Sequence, residues 1–438
     1  MPADYSISTI NKLLKVLQSD KESTNLILND FPTFGMIKKI NDFVGESYQF
    51  ALSGAGGQGI SPDFASAIDN STASNDLKPI VTRGQMYGYA TVTRAALLAA
   101  DGKKGGYQEI AKKIKADLDR GMRRAIGALL MGDGGGSFGQ IASSTTLAST
   151  QLRLRDPNSV VFFEKGMKLQ LSATNGVTGA VRAGFLTIAA VDRDNGYLTI
   201  DSNISTGVAA ATVNDFVFVQ GYHANSFGQV VITGIPGWIP KAAPAPAESF
   251  FGIDRSVDPF RFAGVRYLAG GASIKQALLL GLTKGGREGA NPRVIGLNPM
   301  DLGAFADSLD NKADTVRLKA SGADVGYDAI SIVSPTQSGR ISLYSDSSIS
   351  VGDAWALDFD DWEFHSLGYT SKVPELIQVP GEGGYMERIA TRDAYAVRYG
   401  ALGNLICRNP ANQIYIKLPT APLWPRTSTG GSIRPLRS

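Results

Sequence analysis

The segment YQEIAKKIKADLDRGMRRAIGALLM, residues 107–131, constrains the fold more than any other. It holds no proline and runs into GDGGGSFG, so it reads as one unbroken helix closed by glycine. At about 1.5 Å per residue it makes a rod of roughly 37 Å. Ile110, Ile114, Leu118, Met122, Ile126 and Leu130 recur every fourth residue. Each step overshoots a full turn by about 40°, so the apolar face winds and the two ends need different packing partners. The outer face carries i,i+4 ion pairs such as Glu109/Lys113 and Asp119/Arg123. Lys112, Lys115, Arg120, Arg123 and Arg124 make it basic, with six cations against three acids over residues 109–124. Such a face suits DNA or an acidic partner. The plainer reading is a solvated helix surface.

A long hairpin precedes the rod at residues 46–98. ESYQFALS is one strand and LKPIVTRGQMYGYATVTRAALL carries the other. Between them lies the polar stretch GAGGQGISPDFASAIDNSTASND, too long for a plain turn. It reads as a flexible tip, or one ordered by a partner. Gly54, Gly56 and Gly59 fit G-x-G-x-x-G, but Pro62 follows and no helix opens at the third glycine, as a pyrophosphate site requires. Gly134, Gly136 and Gly139 repeat the spacing after a helix, which is the wrong polarity. The chain holds 50 glycines among 438 residues, where average usage of about 7% gives roughly 31. Their clusters at 54–59, 102–106, 132–139 and 381–384 read as hinges.

The rest divides by pattern. Residues 1–45 form an N-terminal arm, with an amphipathic helix at Ile7–Leu17 and a loose segment to about Val44. Residues 99–150 hold the rod. Residues 151–235 turn to short strands: SVVFFEKG, MKLQLSA, GFLTIAAV, GYLTID, DFVFVQG and GQVVITG. Asn195-Gly196 supplies a tight hairpin turn, and the set suggests a small β-barrel or sandwich. A proline-rich connector spans 236–269. Residues 270–418 mix helix and strand: a helix at Ser273–Leu282, a strand leading through the Asn298-Pro299 cap into another helix, and strands AISIV, RISLYSD and AWALDFD. RDAYAVRYGALGNLICR is strand or helix. The tail 419–438 is rich in Pro, Ser and Gly.

Reactive side chains are scarce: one cysteine and two histidines. Cys407 excludes an intrachain disulfide and sits among aliphatic neighbours, as a buried inert thiol would. His223 and His365 are too far apart for a helical zinc motif. The net charge of +3 is too small to mark a nucleic-acid reader. No apolar run is long enough to span a membrane, and no signal peptide is evident. No cofactor or metal site is expected. The best catalytic candidate is DFDDWEFH, where Asp358 and Asp360 would share one strand face about 6.5–7 Å apart, with Asp361 and Glu363 as a second pair. Acids two apart on a strand are also ordinary for a solvated sheet face. Asp192–Gly196 falls short of a calcium loop.

Five segments, in this order, resemble the major capsid protein of tailed bacteriophages. LKPIVTRGQMYGYATVTRAALLAA looks like the returning strand of that family's extended loop, and RAIGALLMGDGGGSFGQI like the end of its spine helix. FFGIDRSVDPFRFAGVRYLAGGASIKQALL resembles the entry to the axial domain. VIGLNPMDLGAF resembles its strand–Asn–Pro–helix unit, and YAVRYGALGNLICRNPANQIYIKL its C-terminal segment. The resemblance implies an α+β capsid fold with arm, extended loop, spine helix, and peripheral and axial domains. Residues 151–235 would be an inserted β-barrel-like domain. It implies self-assembly into pentamers and hexamers of an icosahedral virion shell around double-stranded DNA, made in the host bacterial cytoplasm, and no enzyme activity. It implies a portal and no membrane, and it leaves open whether a decoration protein binds. Only about 45 residues precede the hairpin, so a separate scaffolding protein is expected. Lys78, Arg83, Arg94, Asp358 and Asp360 are candidate subunit-interface residues, and Lys78 with Asn409 or Asn412 a candidate crosslink. An encapsulin-like compartment shell, a carbohydrate-active hydrolase using residues 358–363, and a cell-surface binding module are the alternatives.

Overall fold

The structure, a computed structural model, describes residues 31–54, 57–74, 76–95, 106–228, 230–268, 273–308, 330–333, 335–336, 339–367, 375–376 and 387–419. The helix expected at Ile7–Leu17, the glycines at 102–105 and 381–384, and the tail from 420 lie outside the described residues. The architecture is mixed α/β.

The rod is the helix Gly106–Leu130. Its stripe winds as the spacing requires. Leu118 and Met122 lie against Gly88 on the strand Gly84–Thr93, while Phe31 covers Gly127 further along. Gly84–Thr93 pairs antiparallel over its whole length with Ala394–Cys407. The segment left open between strand and helix is therefore a strand, fourteen residues long. Trp362–Ser366 pairs with its C-terminal half, and Lys38–Ile40 adds parallel to Trp362–Ser366. Trp238 is buried beside this sheet and donates its indole N–H to Leu405 O at 2.9 Å. Trp238→Phe keeps most of the packing but leaves that buried carbonyl unpaired. We expect a loss of about 1–2 kcal/mol in urea denaturation.

After the rod, six strands close on themselves. Their order is Gly139–Gln140, Phe216–Val219, Lys168–Ser172, Leu186–Asp192, Tyr197–Ile200, Gln151–Arg153, all antiparallel. Ile141 bridges Leu154 and Ala142 N donates to Arg153 O at 2.9 Å, so the last strand returns to the first. Leu169, Leu171, Leu186, Ile188, Leu198 and Val217 fill the inside. Asn195 turns the expected hairpin by donating to the Asp192 carboxylate.

Two expected strands differ. The first half of SVVFFEKG belongs to a 3-10 helix, Pro157–Phe162, because Asp156 caps Asn158 N and Pro157 fits its first position. In GQVVITG, residues 230–234 form no strand; Val230 O accepts from Gln85 N, and Thr233 N donates to Asn404. The glycine run after the rod also corrects the hinge reading. A Cβ on Gly136, at φ +89, would stand 1.9 Å from Tyr222 O. A Cβ on Gly234 would stand 2.2 Å from Leu130 O. Here backbones touch, and glycine is required for close approach.

The third body is a mixed sheet ordered Val265–Leu268, Ile414–Lys417, Asp353–Leu357, Val294–Leu297, Arg340–Ser345, Ile330–Val333. Helices Ile274–Arg287 and Pro299–Ser308 pack on it around Leu278, Leu282, Ile295, Phe305 and Ile416. Ser273 caps the first helix and Asn298 the second, as their sequences imply. Residues 31–43, read as loose, are a strap. Thr33 donates N–H and O–H to Asp346 Oδ2 at 3.0 and 2.5 Å, which ties the strap to this sheet. Phe31 packs on Phe162.

Candidate assembly surfaces

The hairpin stands on two short ladders, Ser47–Gln49 with Ile80–Thr82 and Leu52–Ser53 with Asp76–Leu77. Its tip has structure of its own. Asp63 accepts from Ser66 N at 3.1 Å and caps the helix Phe64–Asp69. Thr72 N donates to Gln58 O at 2.7 Å. Ile60, Phe64 and Ile68 are 95%, 80% and 57% exposed. The polar composition of the segment hid them. The signal was the apolar pair four apart behind a Pro62-Asp63 cap.

The base is held firmly. Phe50, Trp238, Phe250 and Phe251 form one aromatic cluster, with ring centroids 5.1–6.1 Å apart along Phe50–Trp238–Phe250. The buried Arg255 guanidinium lies 3.8 Å from the Phe250 centroid and donates to Gly237 O at 2.7 Å. Arg261 Nη1 donates to Gly54 O, and Ile80 N to Phe251 O at 2.9 Å. Arg83 donates to Gly45 O at 3.2 Å, so it braces the base. Lys78 is exposed, and Arg94 pairs with Asp393 at 3.9 Å on the surface.

The acidic run departs from the expected geometry. Asp358 and Asp360 do not share a strand face, because Asp358 caps the 3-10 turn Phe359–Asp361. Asn412 donates to Asp358 and Asp361 at 3.2 and 2.9 Å, and Gln413 to Asp361 at 3.0 Å. Arg293 pairs with Asp358 at 3.5 Å and also with Asp360. Burial pushes the Asp361 carboxyl up, against the bonds from Asn412 and Gln413. These acids bind residues 358–361 to 412–413, which removes the buried Asp358 from the candidate surface; Asp360 stays 73% exposed. The Asn412 amide is likewise occupied. Among the described residues no group of His, Cys, Asp and Glu is placed to hold a metal.

The basic helix face is smaller than its sequence suggests. Arg124 is buried and pairs with Glu164 at 2.9 Å, which ties the rod to the closed six-strand body. Arg120 pairs with Asp117 at 3.3 Å and Arg123 with Asp119 at 2.9 Å. The side chains of Lys112 and Lys115 lie outside the described residues. Cys407 is buried, and burial pushes its thiol well up. His223 accepts from Ser226 N at 3.0 Å and lies 3.2 Å from Ser172 Oγ, a turn cap. No described helix is long and apolar enough to cross a membrane.

No protein-family model matches the sequence, and no curated protein matches it. Among solved structures, the chain is similar to one in the cyanophage A-1(L) capsid asymmetric unit, with TM-score 0.49 and 12% identity over 91% of this chain and 95% of that one. It is similar to a chain in the capsid of a native GTA particle, with TM-score 0.44 and 8% identity over 92% and 96%. A chain from the phage G structure of major capsid and decoration proteins gives TM-score 0.38 and 9% identity over 91% and 93%.

Proposed function

We propose that this chain is a structural shell subunit of the tailed-phage major capsid type. Copies join as pentamers and hexamers of an icosahedral shell that encloses double-stranded DNA. The observation that carries this reading is the hairpin: its base is fixed by bonds to the body, and its tip holds three large apolar side chains in water. A second copy that covers them removes that cost.

In this reading residues 1–45 are the arm, 46–98 the extended loop, 99–150 the spine helix with part of the peripheral domain, and 236–269 the connector, whose last strand, Val265–Leu268, is already the edge of the axial sheet. Residues 270–418 are the axial domain with returning peripheral strands, and 419–438 the tail. The closed six-strand body lies mostly in 151–235 and serves as an inserted barrel. Lys78, Arg94 and Asp360 are exposed for subunit contact, while Arg83 braces the loop from within. Arg120 and Arg123 are the described cations of the helix face that would meet packaged DNA, bound without sequence preference; Lys112 and Lys115 belong to that face by sequence. A separate scaffolding protein, a portal and a decoration protein complete the set of partners.

Sedimentation velocity and electron microscopy of the expressed chain test this reading. The expected result is capsomers or closed particles of megadalton size. Nuclease-resistant double-stranded DNA inside them supports the phage shell, and protein cargo supports the encapsulin-like alternative. A monomer under every assembly condition, scaffold included, contradicts both.

A further inference from the structure

We propose that Asp42, His365 and Glu363 form a proton-dependent clasp that holds the base of the hairpin against the central sheet. His365 is fully buried on the strand Trp362–Ser366. Its Nδ1 lies 2.5 Å from Asp42 Oδ1, and its Nε2 lies 3.0 Å from Glu363 Oε2. A carboxylate only accepts, and a neutral imidazole donates through one nitrogen alone. Both contacts are therefore satisfied together only by the imidazolium. Loss of its proton sets a nitrogen lone pair against a carboxylate oxygen, and one contact must open.

The surroundings decide which contact opens. Glu363 is held from two other elements: Arg408 at 2.8 Å and Lys38, on the strap, at 3.6 Å. Burial works against its charge, yet the bonds from Arg408 and His365 hold its carboxyl below the usual range. The Asp42 side chain is 46% exposed, and His365 is its partner among the described residues. Asp42 is thus the group that swings into water. It lies at the end of the strap, just before the hairpin, next to Phe43, whose N–H donates to Ser366 O at 3.3 Å. Tyr48, on the first hairpin strand, rests on the imidazole with ring centroids 4.4 Å apart, and its hydroxyl accepts from Arg408 at 3.0 Å. Opening the clasp loosens residues 42–46, while the ladder Ser47–Gln49 with Ile80–Thr82 holds the hairpin and the tie between Thr33 and Asp346 keeps the start of the strap in place. The clasp is a property of the folded single chain and does not depend on shell assembly.

Hydrogen exchange of the full chain from pH 5.5 to 9.5, corrected for intrinsic base catalysis, tests it. Amides of residues 43–46 should exchange at least tenfold faster at the high end, relative to Val294–Leu297 in the same sample. Asp42→Asn should flatten that step, because an amide satisfies a neutral imidazole as donor or acceptor. A flat profile in the parent chain overturns the proposal. So does a step that persists unchanged in D42N.

Discussion

Serine at Ile60, Phe64 and Ile68 together is expected to abolish assembly and leave the single chain as stable as before. The three side chains lie mostly in water, so replacing them removes little packing from the fold. Surface changes of that kind usually stay within about 0.5 kcal/mol. In the shell the same side chains would be covered, each contributing about 1.5–3 kcal/mol on full burial. Even the low end sums to roughly 4.5 kcal/mol per contact, about two-thousandfold in association. Every copy makes the contact, so a closed particle loses it many times over. Deleting residues 54–75 should act the same way on assembly, although it also removes the Arg261–Gly54 bond. Sedimentation velocity read beside a thermal melt checks both variants. A variant that assembles normally, or that melts far below the parent, contradicts this role for the tip.

Asp301→Asn is expected to stabilise the chain at neutral pH. Asp301 is fully buried in the first turn of helix Pro299–Ser308. Its Oδ2 accepts from Gly352 N at 2.8 Å, and its Oδ1 has no partner among the described residues. Burial first, then the nearby Asp353 and Asp156, push its carboxyl up to about 6, against the Gly352 bond and Lys417. The folded chain therefore binds the proton more tightly than the unfolded chain does. Stability falls as pH rises from about 4 to about 6 and stays reduced above. An asparagine keeps an acceptor for Gly352 N–H and turns its N–H2 towards acidic neighbours. A rise of about two pKa units sets a ceiling of roughly 3 kcal/mol on the gain at pH 7. Urea denaturation of both chains between pH 4 and 8 should show the parent falling relative to D301N as pH rises. Parallel curves would contradict it.

Local signals carried through to the structure where they were complete. The winding stripe from Ile114 to Leu130, the Asn298-Pro299 cap and the Asn195-Gly196 turn are decided by neighbours in sequence. Apolar runs misled where a stronger local cap was present: Asp156-Pro157 turned the first half of SVVFFEKG into a 3-10 helix, and Asp358 did the same to the acidic run. Glycines after the rod looked like hinges because the backbones they admit, at Tyr222 and at Asn175, come from elsewhere in the chain. The pairing of Gly84–Thr93 with Ala394–Cys407 spans about three hundred residues, and no local pattern encodes it. The contact between His365 and Asp42 spans 323 positions, so no local pattern encodes it either. The tip was within reach, since Phe64 and Ile68 stand four apart, yet its polar composition masked them.

The most direct measurement is a cryo-electron microscopy map of the assembled particle with side chains resolved at residues 57–74. The account predicts that Ile60, Phe64 and Ile68 are buried against a neighbouring copy, while the hairpin base keeps the Arg261 and Phe251 contacts to its own chain. Particles in which the three side chains remain in water would contradict it.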